Sequence, residues 1–467
     1  MRRKPSPKAD TLHAELCHQV EKGIFAPGQR MPPELTMAKT YKVSRGTVRK
    51  VLRRLASEGR IIWQPGRRSV AGDTLPAFPH VRTKLTGTLR LLTYWPTLSS
   101  ENIARILASF QMSFPRVEVN LLRINPVEER DELSRLCQAG TPPDVVHMPS
   151  QYLDDICQKT PMLPVEDIVD ADLLDDIYPA VQEALTVDGK LIAYPFSFSP
   201  VMLAYNRTHF EKAGISRPDE SWTWATWLEA MDRLAFGSTD KAPRYGFAIS
   251  PQFRRWGAFV AQAGGKEALD WRKAPAMTVK GVAEACQFVY DLSRRPSVVR
   301  AIEITAKQMF SQEFTSMVLC TLLGLQEATS RNFETDVAPV PSGPHPGTLL
   351  LAYGFGVPRA SRNSLVARHF IRFLSTPEAQ TILRCSGAGV PPRRQIAENM
   401  QFDAKFVHPQ GYLHFVRSMD HAYGCQRGLT PELDSATVVL FGKFLTGLLS
   451  ADALCRQIDE LLVKRNL

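Results

Sequence analysis

GKLIAYPFSFSPVMLAYN, residues 189–206, stands near the middle of a 467-residue chain whose first ten residues are MRRKPSPKAD. The quoted stretch belongs to a long, nearly neutral body; the opening belongs to a short, strongly basic head. Residues 1–84 hold 18 Lys and Arg against 6 Asp and Glu, and the remaining 383 hold 39 against 41. The formal net charge of +10 is therefore carried entirely by the first fifth. A basic head on a neutral body points to a nucleic-acid module attached to something else.

A chain of 467 residues exceeds one ordinary core, so a small domain followed by a large or bilobal one is expected. With 44% hydrophobic and 22% charged residues, the composition is that of a globular protein. Arg2, Arg3 and Lys4 open the chain, but Asp10, His13, Glu15, His18, Glu21 and Lys22 interrupt any apolar stretch of signal-peptide length. The longest apolar run, MVLCTLLGL from Met317, is too short to cross a bilayer. The expectation is a cytoplasmic protein with no membrane partner. The eight cysteines (17, 137, 157, 286, 320, 385, 425, 455) contain no CxxC pair and read as isolated reduced thiols. His414 and His421 could share a helix face but lack a third ligand, so neither a metal nor another cofactor is expected.

In the head, Leu12, Leu16 and Val20 recur at a four-residue step, which describes a helix face ending near Gly23. APGQRMPPEL supplies a turn, after which Pro33 can start a second helix to about Tyr41, burying Leu35, Ala38 and Tyr41. In KVSRGTVRKVLRRLASEG, Ser44 can cap a third helix whose Val48, Val51, Leu52 and Leu55 form a buried stripe. Arg45, Arg49 and Arg53 repeat on another face of that helix. This is the geometry by which a recognition helix enters the major groove, with Arg45 and Arg49 at the end that reaches base edges. RIIWQPGRRSV then reads as two short strands around Pro65-Gly66, a hairpin tip carrying Arg67 and Arg68. A basic amphipathic helix alone is more often merely solvated; the complete order of elements reverses that weighting.

GIFAPGQRMPPE, VSRGTVRKVLRRLASEG and IIWQPGRRSV in this order resemble the GntR-type winged helix-turn-helix. The resemblance implies an α+β DNA-binding domain over residues 1–72 and a DNA-contacting set of Ser44, Arg45, Thr47, Arg49, Gly66 and Arg67. Two positions depart from the family pattern. Pro33 stands where a capping Ser is usual, and Leu35 where an Arg is common.

Residues 73–88 read as a linker, with Pro76, Pro79 and Gly87 and no steady period. Beyond it TLRLLTYWP, VEVNLLRI and PDVVHMP are strand-like and alternate with helical segments, which argues for an α/β layer with a mostly parallel sheet. TPPDVVHMP, DGKLIAYPFSFSPVMLAYNRTHFEKAGI, SWTWATWLEAMDRL, FVAQAGGK and RHFIRFLSTPEAQTILRCSGAGVPPR together resemble the carbohydrate-type bacterial extracellular solute-binding proteins. FSQEFTSM departs from the pattern, where a Gly, a small residue and Met are common.

The implied fold is a bilobal α/β periplasmic-binding-protein-like (type II) domain over 89–467. Its first lobe would take about 89–198 and 341–385, and its second about 199–340 and 386–467. Ligand would sit between the lobes, where sugars need aromatic platforms and a few polar groups. By position the candidates are Tyr94 and Trp95 after the first strand, Gln151 after the third, and Phe196 and Ser197 at the crossing. Trp256, then Tyr353 with Gly354 on the returning strand, and Arg393 after GVPPR complete the set. Any one of these aromatics is more often core than cleft.

Three functions compete. The first is a bacterial DNA-binding transcription regulator, dimeric on double-stranded operator DNA, whose large domain senses a mono- or oligosaccharide. The second is an enzyme, a GntR-type head on a pyridoxal-phosphate aminotransferase-like domain. Lys190, Lys280 and Lys307 lack the small-residue setting that cofactor needs, and no Walker loop, GxSxG or HExxH occurs. The third is an extracellular transport receptor, which the basic opening does not suit. The first is expected, and no enzymatic activity with it.

Overall fold

The computed structural model describes residues 9, 11–13, 15–16, 19, 32–57, 61–62, 70–71, 85–94, 100–124, 131–169, 172–236, 244–273, 275–279, 281–328, 333–387, 389–399, 410–424 and 427–465.

In the head, α1 (Glu34–Thr40) and α2 (Arg45–Ser57) are followed by β1 (Ile61–Ile62) and β2 (Val70–Ala71), which pair antiparallel with Ile61 opposite Ala71. Leu12, Leu16, Met37, Ala38, Val48, Val51, Leu52 and Leu55 form a separate small core. The stripe on α2 is therefore inward, as its spacing requires. Leu35, expected inside, is 52% exposed, because Met37 and Ala38 take the inward positions of this short helix. Tyr41 is half-buried at the core's edge.

The body is built on two sheets. The first has seven strands in the order β16-β15-β5-β3-β4, with two more strands, β6 and β9, pairing with β15. They are β3 (Gly87–Tyr94), β4 (Val117–Ile124), β5 (Val145–Pro149), β6 (Met162–Leu163), β9 (Tyr194–Pro200), β15 (Thr348–Pro358) and β16 (Ala422–Gly424). β3 runs parallel to β4 and β5, whereas β15 is antiparallel to β5 and β9. The second sheet has the order β12-β11-β13-β10-β14. Its members are β10 (Met202–Asn206), β11 (Tyr245–Ile249), β12 (Val298–Arg300), β13 (Thr315–Cys320) and β14 (Thr335–Ala338).

The stretch 186–206 shows how sequence makes the junction. β7 (Thr186–Val187) and β8 (Lys190–Leu191) form a hairpin in which Val187 faces Lys190. The two-residue turn, Asp188-Gly189, has positive φ at both positions (49° and 76°), the signature of an Asp-Gly hairpin. Every residue of β9 is buried, as befits a strand covered on both faces. The chain leaves the first sheet at Pro200 and enters the second at Met202; it returns between β14 and β15. The two crossings are bonded to each other: Val201 N donates to Leu349 O (2.9 Å), and Thr348 Oγ1 donates to Val201 O (2.6 Å). That pairing joins two interlobe crossings that are far apart in sequence.

The C-terminal part does not stay with the second lobe as its expected range 386–467 implied. Val390 bridges Phe198, and Arg393 and Arg394 engage Asp176, so residues 390–399 lie on the first lobe. β16 extends the first sheet at Thr348–Leu350. The reason is pairing: the Asp176 carboxylate receives Arg393 Nε (3.1 Å), and Thr348–Leu350 of β15 take β16 as a parallel neighbour. Gly411 then bonds Asp336 of the second lobe, and the last two helices pack on that lobe.

Candidate ligand cleft and nucleic-acid interface

On α2, Ser44 Oγ accepts from Thr47 N (3.1 Å) and shares a hydrogen bond with Thr47 Oγ1 (2.8 Å), which caps the helix. The cap leaves Arg45 and Arg49 on the outer surface of the first turns. Arg49 is held there: its Nε donates to Glu34 Oε1 (3.1 Å) and its Nη2 to Glu34 Oε2 (2.8 Å). Arg45 Nη2 lies 4.0 Å from the same carboxylate. The hydrogen bonds from Arg49 hold the Glu34 carboxyl below its ordinary range. Glu34 was read from sequence only as a helix residue. Pro33 gives α1 no side-chain cap, in keeping with its departure from the family pattern. Gly66 and Arg67 lie outside the described residues.

In the body, β5 ends at Pro149 and a short 3-10 turn, Ser150–Tyr152, leads into α3 (Leu153–Lys159). Ser150 Oγ accepts from Ala352 N (3.2 Å), which fixes the turn against β15. On the second lobe, β11 is followed by Gln252 and α4 (Phe253–Gly264), which packs against α5 (Val282–Arg294). Glu303, the first residue of α6 (Glu303–Ser311), receives Arg254 Nη2 (2.9 Å) and Arg255 Nη2 (2.6 Å), with Lys307 Nζ at 3.6 Å. Burial alone would raise the Glu303 carboxyl, but Arg255, Arg254 and Lys307 outweigh it and hold it well below its ordinary value.

The lobes meet through α7 (Pro431–Thr446), which is followed by α8 (Ala451–Arg465). Tyr152 OH donates to Asp434 Oδ2 (2.6 Å), and both groups act on the charge of Arg254. Nearby, Arg427 makes a bidentate pair with Asp154 (3.0 and 2.9 Å) while its backbone N donates to Leu269 O (3.1 Å). Ser199 Oγ of β9 accepts from Leu322 N (2.9 Å), just after β13, which ties the first sheet to the second lobe. Gln151, next to Tyr152 in the chain, and Gln252, two residues before Arg254, each have a buried Oε1 with no hydrogen-bond partner among the described residues. A buried unpaired amide oxygen costs about 1–3 kcal/mol unless a donor reaches it. Hydroxyl groups are such donors.

The other sequence candidates fall in different places. Tyr94 ends β3, and Trp95 lies outside the described residues. Tyr353 is half-buried, its ring stacked on His147 (5.8 Å, 19°). Ser197, its register partner on β9, is buried. Four expectations are corrected. Phe196 is fully buried and packs edge-on against Phe355 (5.1 Å), because every position of β9 is covered. Gly354 is a packing position, where a Cβ would come within 2.8 Å of Tyr194 O. Arg393 is not free for a ligand: its Nε pairs with Asp176 (3.1 Å) and its Nη1 with Ser375 O (3.1 Å). Trp256 is enclosed by Phe253 (5.0 Å) and Phe441 (4.6 Å) and borders a void of only about 10 Å³, room for one water at most. Sequence reasoning missed Gln252, Arg254 and Asp434; the turn after β11, by analogy with that after β5, was the available signal.

Among the described residues no helix is long and apolar enough to cross a membrane, and no cluster of His, Cys, Asp or Glu could hold a metal.

Residues 105–407 match the family model described as bacterial extracellular solute-binding protein, and residues 8–70 match bacterial regulatory proteins, gntR family. An uncharacterized ABC transporter extracellular-binding protein of Pyrococcus horikoshii is 21% identical over 179 residues, 37% of this chain. That match spans only 41% of the relative's length. Among solved structures, an ABC substrate-binding protein of Listeria monocytogenes in complex with cycloalternan aligns at TM-score 0.68 and 17% identity, covering 82% of this chain and 99% of that one. The sugar-binding protein MalE of Xanthomonas citri aligns at 0.68 and 19%, covering 81% and 98%. The GacH receptor of Streptomyces glaucescens, solved unliganded and with acarbose, aligns at 0.67 and 18%, covering 82% and 98%. At these identities the likeness establishes the fold, two sheets in a bilobal arrangement. The chain thus belongs to the bacterial extracellular solute-binding protein family, and it carries a gntR-family regulatory domain ahead of its solute-binding domain.

Proposed function

We propose that this chain is a transcription regulator of the cytoplasm whose solute-binding domain senses a carbohydrate and adjusts operator binding by the head. The observation that carries the reading is the joining, in one chain, of a capped basic helix presenting Arg45 and Arg49 with a bilobal domain that has a buried, unpaired side-chain acceptor on each lobe. Gln151 Oε1, Gln252 Oε1 and the Tyr152–Asp434 pair form a set suited to a polyhydroxylated ligand. The structural neighbours' own sugars, cycloalternan and acarbose, support that ligand class. Two heads would read the two half-sites of double-stranded operator DNA, so a homodimer is part of the proposal. A ligand acts only through its different affinity for open and closed lobes, so the hinge at Val201 and Thr348 is the element it would bias.

The test uses the full chain. Operator sequences are selected from a random DNA pool, and mono- and oligosaccharides are screened by thermal shift. A ligand at a hundred times its Kd raises stability by about 2.7 kcal/mol, well within detection. A saccharide that both stabilises the protein and changes its affinity for the selected DNA supports the reading. Selected DNA that no stabilising saccharide affects sinks the sensor half, and failure to select any DNA sinks the regulator half.

A further inference from the structure

The hairpin of α7 and α8 buries one face on the second lobe and leaves the other open. Inward, Phe441, Phe444, Leu454, Ile458 and Leu462 are buried. Outward, a groove of about 580 Å³ runs between the two helices, with Val439 and Leu440 of α7 on one wall and Leu461, Arg456, Glu460 and Lys464 of α8 on the other. Val439 is 58% exposed. From Ser435 to Phe444, Lys443 is the sole charge on α7.

The charges that flank the groove say what covers it. On α8, Asp452, Arg456, Glu460 and Lys464 follow at four-residue steps, alternate in sign and are all exposed. None of the four makes an ion pair within the chain among the described residues. They lie on one i±4 ridge, the ridge used in the commonest helix–helix packing. When α8 meets a second α8 running the opposite way about the level of Ile458, Asp452 faces the partner's Lys464 and Arg456 faces the partner's Glu460. The order −, +, −, + is its own complement under a two-fold axis, and an unrelated partner would impose no such order.

We propose that this hairpin face is the homodimer interface, its occupant a second copy of the chain, with the apolar wall of α7 beside an alternating ridge on α8 that fixes the antiparallel register. The need for two copies rests on the regulator reading; the choice of surface rests on the hairpin alone.

Sedimentation velocity on the full chain tests it. The wild type should dimerise, and Arg456→Glu or Glu460→Arg should each weaken the dimer by about tenfold or more, since each turns two attractive pairs into repulsive ones. The double variant Arg456→Glu/Glu460→Arg should return to near wild-type affinity, because the exchanged signs still face each other. Val439→Arg, a substitution at an exposed position, should dissociate the dimer by placing charge in the groove. A wild type that stays monomeric, single variants that dimerise normally, or a double variant no tighter than the singles each overturn the proposal. A dimer through another surface overturns it while leaving the regulator reading intact; a dimer here that selects no DNA does the reverse.

Discussion

Glu34, in the first turn of α1, grips Arg49 of α2 through both carboxylate oxygens, at 3.1 and 2.8 Å. The pair locks the guanidinium fork at the outer end of the recognition helix and spends two of its donors on the protein itself. On the proposed regulator reading, contact with a guanine edge would be left to the remaining donors of Arg49 and to Arg45, whose Nη2 lies 4.0 Å from the same carboxylate.

Glu34→Gln should therefore loosen Arg49 and remove a negative charge from the DNA face. Affinity for non-specific DNA should rise, the slope of log K against log salt should steepen by about 0.9, and the specific-to-non-specific ratio should fall several-fold. Arg45→Ala should do the opposite to affinity, weakening operator binding by about 1–3 kcal/mol and relaxing sequence preference. Salt-titrated anisotropy measures both; a Glu34→Gln protein with unchanged slope and ratio refutes the positioning role.

In the cleft, Gln151→Leu and Gln252→Leu should remove the acceptors that await hydroxyl donors. Each should weaken saccharide binding by about 1–2 kcal/mol while sparing DNA affinity, as read by calorimetry and anisotropy. Trp95→Ala, at the position named from sequence as an aromatic platform, should abolish the ligand response altogether. Wild-type saccharide affinity in all three variants would remove the cleft model.

Trp256 makes a contrasting case. Enclosed by Phe253 and Phe441, it should act through stability: Trp256→Ala should cost about 3–5 kcal/mol, seen in chemical denaturation as a shifted midpoint. A stable Trp256→Ala protein with lost saccharide affinity would instead make Trp256 a ligand platform.

His147 carries the pH dependence. Its burial in β5 pushes the imidazole down to about 3, so it stays neutral in the fold. The unfolded chain, with an ordinary histidine near ~6.5, binds the proton that the native state refuses between those values. Stability contributed by the neutral ring is thus complete above the unfolded value and is lost as pH falls from about 6.5 toward 3, by up to about 1.4 kcal/mol per pH unit. His209, lowered to about 4 chiefly by burial, adds a second share over a shorter window. Denaturation midpoints at pH 7, 6 and 5 should fall in sequence, and His147→Leu should flatten that fall. An equal slope in the variant would show that other groups carry it.

The sequence by itself determined the elements whose signals are local. A Ser cap with an apolar stripe at Val48, Val51, Leu52 and Leu55 makes α2; an Asp-Gly pair makes the turn before β9; the charge divide separates head from body. Five ordered segments were enough to mark the solute-binding fold, and the family match over 105–407 agrees. What only the tertiary structure decided were relations between residues far apart in the chain. Sequence places an aromatic after a strand but not the ring that covers it, so Trp256 and Phe196 looked like platforms until Phe441 and Phe355 enclosed them. Arg393 looked free until Asp176 was found beside it. Cysteines 286 and 455, read as isolated thiols, have their sulfurs 3.7 Å apart. Glu34 gained its role from Arg49, and Asp434 from Tyr152. Backbone periodicity and capping are settled within a few residues along the chain, whereas burial and ion pairing depend on which distant segment arrives alongside.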